Sequence, residues 1–225
     1  MAVATTVAPK TSTWMFFCEG TSLNGYSRDM TTRGPYPKGV QRRREILDRA
    51  LEVFAEKGFE STSLRAIGEA IGVSHAALSH YFESREALLV EVLRERDLQG
   101  AEAIADIDGV LERTTVIAEH NKNVPGLVGL HTVMMASAVE PGHEVATEFF
   151  TDRFERGRES TRAALEHDLA ERGIAPGVDL DDLASLIMAA SDGLQVQWLL
   201  DDRIDIPRIL ALIERIVVPA RTDGA

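Results

Sequence analysis

The sequence predicts an all-α protein with a small N-terminal three-helix unit and a larger helical body. Apolar residues recur at three- and four-residue spacing along most of the chain, which is the period of an amphipathic helix. Gly and Pro interrupt this pattern, and no segment alternates with period two for long enough to indicate a strand. Because 44% of the residues are hydrophobic, the chain can also bury a core.

Residues 1–37 differ from the rest of the chain in composition. They are rich in Thr, Ser, Gly and Pro and show no sustained apolar period. We expect a disordered extension, because such a segment buries too little apolar surface to become ordered. The basic residues near its end, Arg33 and Lys38, leave open a second interpretation, an arm that touches nucleic-acid phosphates.

Glycines and hydroxyl side chains mark the ends of the first two predicted helices. The first helix runs from about residue 38 to residue 57 and stops at Gly58, a common residue after a helix C-terminus. The second runs from about residue 64 to residue 71, with capping oxygens before it at residues 61–63. Gly72 ends this second helix.

Serines mark the starts of the next two helices. Ser74 precedes a third helix that ends at Tyr81 or Phe82, and Ser84 precedes a fourth that runs toward Gly100. Further breaks at Gly and Pro divide the remaining chain into five predicted helices. These lie near residues 101–120, 126–139, 143–172, 180–200 and 206–217.

Residues 64–82 form the most informative segment, two short helices separated by a turn at Gly72. In this arrangement the second helix can enter the major groove of DNA. Small or hydrogen-bonding side chains on its predicted outer face would let its backbone approach the base edges. They are His75, Ala76, Ala77, Ser79 and His80.

The distribution of charge supports a DNA-reading unit. The net charge of −12 by itself argues against a nucleic-acid binder. From Lys38 to Arg85, however, eight Lys or Arg accompany seven Asp or Glu, a net of +1 that leaves −13 for the rest of the chain. Three basic residues lie at the start of the first helix, and Arg85 lies at the start of the fourth. At these positions they can contact the phosphates of a DNA strand. The three are Arg42, Arg43 and Arg44.

The stretch from about Val40 to Gly100 resembles the N-terminal domain of the TetR family of bacterial transcriptional regulators. The resemblance implies a homodimer that binds a near-palindromic operator, usually to repress. It also implies a C-terminal domain that contains a ligand pocket and the dimer interface. Beyond the arginines, the matching residues are Ile46, Leu47, Ala50, Phe54, Ala55, Gly58, Phe59, Thr62, Ile67, Gly72, Val73, Ser74, Leu78, Tyr81, Phe82, Ser84, Glu86, Ala87, Leu88 and Leu89.

This resemblance implies a domain organisation and a set of DNA contacts. We expect a helix-turn-helix DNA-binding domain at residues 38–100, with its motif at 63–82, and an effector-binding and dimerisation domain at 101–221. The implied phosphate contacts are Ser63, Ser74, Tyr81 and Arg85. The implied base contacts are His75, Ala76, Ala77 and His80, with Arg65 as a further candidate.

Three positions depart from the family's usual residues. Ser79 stands where many members carry Tyr, and Arg85 replaces Lys, which keeps the charge but changes the hydrogen-bond geometry. Gly68 replaces Ala inside the second helix, at a cost of about 1 kcal/mol of helix propensity. Because the side chains beside His75 and His80 are small, we expect backbone contacts to supply most of the DNA affinity.

Apolar side chains with a few polar ones among them indicate a pocket in the helical body. Such a cavity suits a small hydrophobic or aromatic effector. For any one apolar residue, simple core packing is the alternative explanation. The candidates are Asn123, His131, Met134, Met135, Phe149, Phe150, Gln195 and Trp198.

The last two predicted helices carry a second apolar face, which must be buried. In a TetR-like arrangement this helix pair packs against its two-fold copy as a four-helix bundle. Burial within one monomer is the alternative. The residues at helical spacing are Leu183, Leu186, Ile187, Leu194, Ile209, Leu212, Ile213 and Ile216.

Other functions find less support in the sequence. His75 and His80 are five positions apart, whereas a zinc-binding pair on one helix needs a spacing of three or four, so we expect no metal and no cofactor. No nucleophile–base pair or phosphate loop indicates an enzyme. With one cysteine, Cys18, and no apolar run that approaches bilayer length, we expect a soluble cytoplasmic protein.

Two alternatives accompany the interpretation as a ligand-responsive repressor. One is a constitutive DNA-binding regulator whose pocket is filled by its own side chains. The other is an all-α enzyme or small-molecule-binding protein that does not bind DNA.

Overall fold

The computed structural model describes residues 37–59 and 63–217, and within these ranges the chain is entirely α-helical where it is regular. Apart from residue 37, the predicted N-terminal extension lies outside the described residues. The helices are α1 Pro37–Lys57, α2 Leu64–Ile71, α3 His75–Tyr81, α4 Arg85–Ala103, α5 Val110–Lys122, α6 Leu127–Ser137, α7 Glu144–Glu171, α8 Leu180–Leu200 and α9 Ile206–Val217.

Serine caps begin the three helices that follow α1. The hydroxyl of Ser63 accepts a hydrogen bond from the backbone N–H of Ala66 at 3.1 Å, which starts α2. Ser74 and Ser84 cap α3 and α4 in the same way, with distances of 3.2 and 3.0 Å. Each cap satisfies a backbone donor that has no partner inside the helix. The predicted starts of these helices are therefore confirmed.

One predicted helix, 101–120, is wrong at its N-terminal end. α4 continues to Ala103, and α5 begins only at Val110. Between them Gly109 adopts a φ of +85°, which an α-helix cannot contain. The backbone N–H of Val110 donates to Asp168 Oδ2 at 2.9 Å, so α5 starts where α7 can anchor it.

The largest hydrophobic core joins the N-terminal helices to the body. It contains residues of α1 to α4, such as Ile67 and Leu89, together with Leu130 of α6 and Phe149 of α7. Two smaller cores lie among α5, α7, α8 and α9. α1 and α4 thus pack directly on α6 and α7, and the predicted boundary near residue 100 does not separate two cores.

α8 departs from the expectation that no apolar stretch approaches bilayer length. Its mean hydropathy of 1.2 over 18 residues makes it long and apolar enough, by length and composition alone, to cross a membrane. Buried helices of folded domains meet the same criterion. α8 packs along α7 and α9, and Leu183, Ile187 and Leu194 on it are buried.

Candidate nucleic-acid interface and ligand site

The turn between α2 and α3 is held by close backbone contacts. Gly72 ends α2 in the left-handed conformation, with φ +70° and ψ +31°. The N–H of Val73 then donates to the carbonyl oxygen of Gly68 at 2.9 Å. Ile67 and Leu78 are completely buried between the two helices and α1. The two helices therefore form a rigid unit with one outward-facing side.

Four side chains form the exposed face of α3. His75, Ala76, Ser79 and His80 are all exposed and lie at spacings of one and four residues, so they share one side of the helix. Ala77, which was expected on the same face, is half-buried because it lies toward the side that packs on the core. This exposed surface is narrow and almost free of charge.

The predicted phosphate contacts at the helix starts are exposed. Ser63 and Ser74 each use an oxygen lone pair for their cap, which leaves the hydroxyl hydrogen able to donate to a phosphate. Tyr81 lies at the end of α3, is 42% exposed, and packs edge-on against His80 at 5.8 Å between ring centroids. Arg65 is exposed on α2 and pairs with Glu69 at 2.9 Å.

The arginines at the start of α1 have partners within the protein. Arg43 pairs with Glu91 of α4 and lies 5.4 Å from the centroid of the Phe82 ring. Arg44 pairs with Glu95 of α4 at 2.7 Å. These two side chains fasten α1 to α4, and the phosphate contacts expected of them stay a prediction. Among the described residues, Arg42 pairs within its own helix, with Glu45 at 3.0 Å.

Arg85 is also directed inward. Its guanidinium donates to the carbonyl oxygen of Phe59 at 2.6 Å and stacks over the Phe59 ring at 3.9 Å. The side chain is half-buried, and it ties the start of α4 to the turn after α1. This contact is structural, and the phosphate contact expected of Arg85 stays a prediction. Sequence spacing could not reveal the contact with Phe59, because the two residues are 26 positions apart.

Most of the predicted effector residues on α6 and α7 belong to the main core. Met134, Phe149 and Phe150 are buried there, and half-buried Met135 packs against them. This corrects the expectation of a mostly apolar pocket among these residues, because their side chains fill the space themselves. Asn123 is exposed and donates its side-chain amide to the backbone oxygen of Glu119.

A small polar cavity lies where α4, α5, α6, α7 and α8 meet. Its volume is about 20 Å³. Among the predicted residues, His131 and Gln195 line it, whereas Trp198 lies outside it and packs against Lys122 at 5.3 Å. The remaining lining residues are Leu93, Arg96, Asp97, Asn121, Leu127, Val128, Arg153 and Asp192.

Four charged residues at this cavity were missed in the sequence, Arg96, Asp97, Arg153 and Asp192. Arg153 of α7 pairs through Nε with Asp97 of α4 at 3.1 Å, and Asp192 of α8 lies close enough to interact with both. Burial raises the pKa of Asp192. The attraction of Arg153 opposes this rise, and the weaker repulsion from Asp97 adds to it. A signal was available, because Asp192 interrupts an otherwise apolar stretch of α8.

His131 is the most perturbed titratable group at the cavity. Burial, with a smaller contribution from the positive charge of Arg153, lowers the pKa of His131 to about 3. The ring is therefore neutral at physiological pH. Its Nε2 is buried and has no hydrogen-bond partner among the residues that the structure describes, and its ring meets Phe150 edge-on at 5.2 Å.

A larger cavity of about 220 Å³ lies elsewhere, among α5, α7, α8 and α9. Leu165, Leu183, Ile187 and Ile213 line it, with Asp168 at its edge. None of the predicted effector residues reaches it.

The predicted dimer residues divide into buried and exposed groups. Leu183, Ile187 and Leu194 are buried inside the monomer, which corrects their assignment to a surface for a second copy. Leu186 and Leu212 are 57% and 47% exposed. Ile209 and Ile213 are half-buried, and the side chain of Ile216 lies outside the described residues.

No group of three His, Cys, Asp or Glu side chains among the described residues is placed to hold a metal ion.

Two family models match the chain in sequence. The model described as bacterial regulatory proteins of the TetR family matches residues 46–92. The C-terminal model of BetI-type transcriptional repressors matches residues 135–219. The first match covers α2, α3 and the caps before them, and the second covers the end of α6 and all of α7 to α9.

Curated relatives carry repressor names. The HTH-type transcriptional repressor KstR2 of Rhodococcus jostii is 30% identical over 162 residues, which cover 70% of this chain and 79% of KstR2. The HTH-type transcriptional repressor AcnR of Corynebacterium diphtheriae is 38% identical over 71 residues, only 32% of this chain and 37% of AcnR. A TetR transcription regulator from Haloarcula marismortui has a TM-score of 0.67 at 18% identity, over 79% of this chain and 98% of that one, and so supports the fold alone.

Proposed function

The chain belongs to the TetR family of bacterial transcriptional regulators, and on that premise we propose that it represses genes as a dimer and leaves its operator when a small effector binds. Members of this family are regulators and not enzymes. We place the protein in the cytoplasm, where operator DNA is accessible.

The exposed face of α3 is the observation that carries this proposal. A helix that presents His75, Ala76, Ser79 and His80 outward can approach base edges closely, because none of these side chains is long. Imidazoles can donate or accept hydrogen bonds at base edges, and the serine caps beside α3 offer donors to phosphates. We therefore assign base contacts to this face, with Arg65 as a further candidate, and phosphate contacts to Ser63, Ser74, Tyr81 and Arg42.

Exposed leucines on α8 and α9 support a dimer. Leu186 and Leu212 project from two helices of the same body. Apolar side chains of this size are usually covered in the functional assembly. A two-fold axis through α8 and α9 would bury them and repeat α3 once in each protomer.

We assign the effector to the polar cavity beside α4. α4 starts next to the recognition helix α3 and carries Asp97 into this cavity. A ligand that displaces α4 would change the separation of the two α3 helices, which must be roughly 34 Å apart to reach successive major grooves. Release requires that the ligand bind better to the displaced conformation than to the DNA-bound one.

A constitutive repressor is the second candidate function. The cavity volume of about 20 Å³ favours it, because a site this closed holds no ligand without moving its walls. The two candidates differ in whether any small molecule weakens DNA binding.

Selection of operator DNA by the full-length protein from random duplexes tests the proposal. We expect an inverted repeat whose half-site centres lie one or more helical turns apart, and an affinity that falls steeply with salt concentration. Recovery of no preferred sequence would contradict the proposal. Repetition of the binding assay with a metabolite library then separates the ligand-responsive repressor from the constitutive one.

A further inference from the structure

We propose that His75 and His80 make operator binding dependent on pH, so that the protein binds its operator more tightly as the pH falls from about 8 to about 6. This inference rests on the DNA-binding function proposed above and names a regulation of that same site. Two features of the described residues support it. The imidazoles are exposed on α3, and the arginines of the two preceding helices already have carboxylate partners.

The fixed positive charge of the DNA-binding unit is largely offset inside the protein. Each arginine of α1 and α2 pairs with a carboxylate, which repels the DNA phosphates that the guanidinium attracts. The pairs are Arg42–Glu45, Arg43–Glu91, Arg44–Glu95, Arg49–Glu52 and Arg65–Glu69. Between Lys38 and Arg85 the net charge is only +1. One or two further positive charges would therefore change the attraction for DNA strongly.

His75 and His80 can supply these charges. Both are exposed, and neither makes a hydrogen bond or an ion pair with another residue that the structure describes. They lie about 140° apart around the helix and about 7.5 Å apart along it. A charge on one ring therefore opposes a charge on the other only weakly, and both can be protonated together.

The charged groups near α3 are few. α2 packs most closely on α3, and its charged residues Arg65 and Glu69 pair with each other at 2.9 Å. After α3 the charged residues are Glu83, Arg85 and Glu86. Arg85 donates to the Phe59 carbonyl oxygen, and Glu86 pairs with His143 at 2.8 Å. Bound DNA is therefore the largest change in charge that the two rings meet.

The sign of the pH dependence follows from linkage. Imidazole ordinarily titrates near pH 6.5. A protonated ring beside a phosphate or a base acceptor forms a charge-assisted hydrogen bond, so the complex binds more protons than the free protein. The added affinity is fully present below about pH 6.5 and is lost as the pH rises through the higher pKa of the rings in the complex.

Operator binding by the full-length protein at pH 6, 7 and 8 and one salt concentration tests the inference. The double variant His75→Gln/His80→Gln keeps hydrogen-bonding side chains that stay neutral at every pH. From pH 8 to pH 6 we expect the wild-type affinity to rise on the order of tenfold or more, and that of the double variant less than about threefold. His167→Gln, an exposed position on α7, is the control and should keep the wild-type rise. Circular dichroism verifies folding at each pH.

His143 is the competing origin of a pH effect, because it pairs with Glu86 at the start of α4. His143→Gln removes its titration and leaves the exposed face of α3 intact. We expect this variant to keep the rise in affinity toward pH 6. A rise that persists in the double variant and disappears in His143→Gln would overturn the inference.

The salt dependence of wild-type binding supplies a measurement that needs no variant. A protonated histidine at a phosphate releases about one more counterion from DNA. The slope of log affinity against log salt concentration should therefore be steeper at pH 6 than at pH 8, by roughly one or more. Equal slopes and equal affinities at the two pH values would overturn the inference and leave operator binding in place. Absence of operator binding at every pH would instead contradict the proposed function.

Discussion

A Cβ atom placed on Gly68 would lie 2.6 Å from the carbonyl oxygen of Val73. The same two residues are joined by a hydrogen bond of 2.9 Å, from the N–H of Val73 to the oxygen of Gly68. The turn between α2 and α3 is therefore too tight for any side chain at this position. Because α3 lies this close to α2, residue 68 must be glycine, and α2 loses the helix propensity that an alanine would provide.

Gly68→Ala should destabilise the protein in spite of the better helix propensity of Ala. The new methyl group meets backbone, which cannot move aside as a side chain can, and Leu78 Cδ1 lies only 3.2 Å away. We expect a loss of about 1–3 kcal/mol of unfolding free energy, as for overpacked cores. Chemical denaturation measures this loss directly.

Gly100→Ala is the matched control for that substitution. Gly100 lies inside α4, and nothing stands within 4 Å of its ideal Cβ position. Replacement by Ala should raise the unfolding free energy by about 0.5–1 kcal/mol. If the two substitutions changed the unfolding free energy in the same direction, the contact with Val73 would not determine the effect at Gly68.

Contact between the α5–α6 turn and α1 gives a second prediction. A Cβ on Gly126 would lie 2.7 Å from Ala55 Cβ, and Gly126 has a φ of +80°. Gly126→Ala should therefore destabilise the protein through both a clash and backbone strain, by more than about 1 kcal/mol.

The double variant Ala55→Gly/Gly126→Ala separates these two causes. Removal of the Ala55 methyl group relieves the clash but leaves the strain at residue 126. We expect the double variant to be more stable than the sum of the single effects predicts, with a coupling energy of about 0.5–3 kcal/mol. Strict additivity would show that α1 does not approach the turn closely.

The buried neutral state of His131 predicts a dependence of stability on pH. The pKa of His131 is about 3 in the folded protein and near 6.5 in the unfolded chain. At pH values between these two, the unfolded chain therefore binds up to one proton more than the folded protein. Stability therefore decreases as the pH falls through about 6.5, and this group contributes a loss of about 2 kcal/mol between pH 7 and pH 5.

His131→Phe isolates this contribution. We compare the unfolding free energies at pH 7 and pH 5 in parallel urea titrations. The decrease from pH 7 to pH 5 should be about 2 kcal/mol smaller in the variant than in the wild type. Identical changes in the two proteins would mean that His131 has the same pKa in the folded protein as in the unfolded chain.

Local sequence signals predicted the helix-turn-helix unit well. The caps at Ser63, Ser74 and Ser84 and the terminator at Gly72 act between residues within a few positions, so the sequence contains them directly. The starts of α2, α3 and α4 follow from them.

Contacts that depend on helix packing were not predictable in this way. Arg43 and Glu91 are 48 positions apart, and their pairing depends on how α1 lies on α4. Leu183 and Leu186 show a similar limit, because both are apolar residues at helical spacing. Only the packing of α8 buries the first in the monomer and leaves the second exposed.

Exposed leucines of α8 and α9 predict the effect of charges on dimer formation. Leu186→Glu and Leu212→Glu should each weaken the dimer by roughly a hundredfold, since a carboxylate would be buried without a partner. Val178→Glu, at an exposed position before α8, is the control and should leave association unchanged. Sedimentation equilibrium distinguishes the dimer from the 24.7 kDa monomer. A wild-type protein that stays monomeric at micromolar concentration would contradict the proposed interface.

Operator affinity of variants in the α3 face tests the central claim most directly. Binding of fluorescent operator duplex should be measured by anisotropy at one fixed salt concentration for the wild type, His75→Ala, His80→Ala and His167→Ala. His167 is an exposed histidine on α7, away from α3, and serves as the control. We predict that His75→Ala and His80→Ala each weaken binding by about 1–3 kcal/mol, while His167→Ala has no effect. Unchanged operator affinity and sequence preference in both α3 variants would contradict the assignment of α3 as the recognition helix.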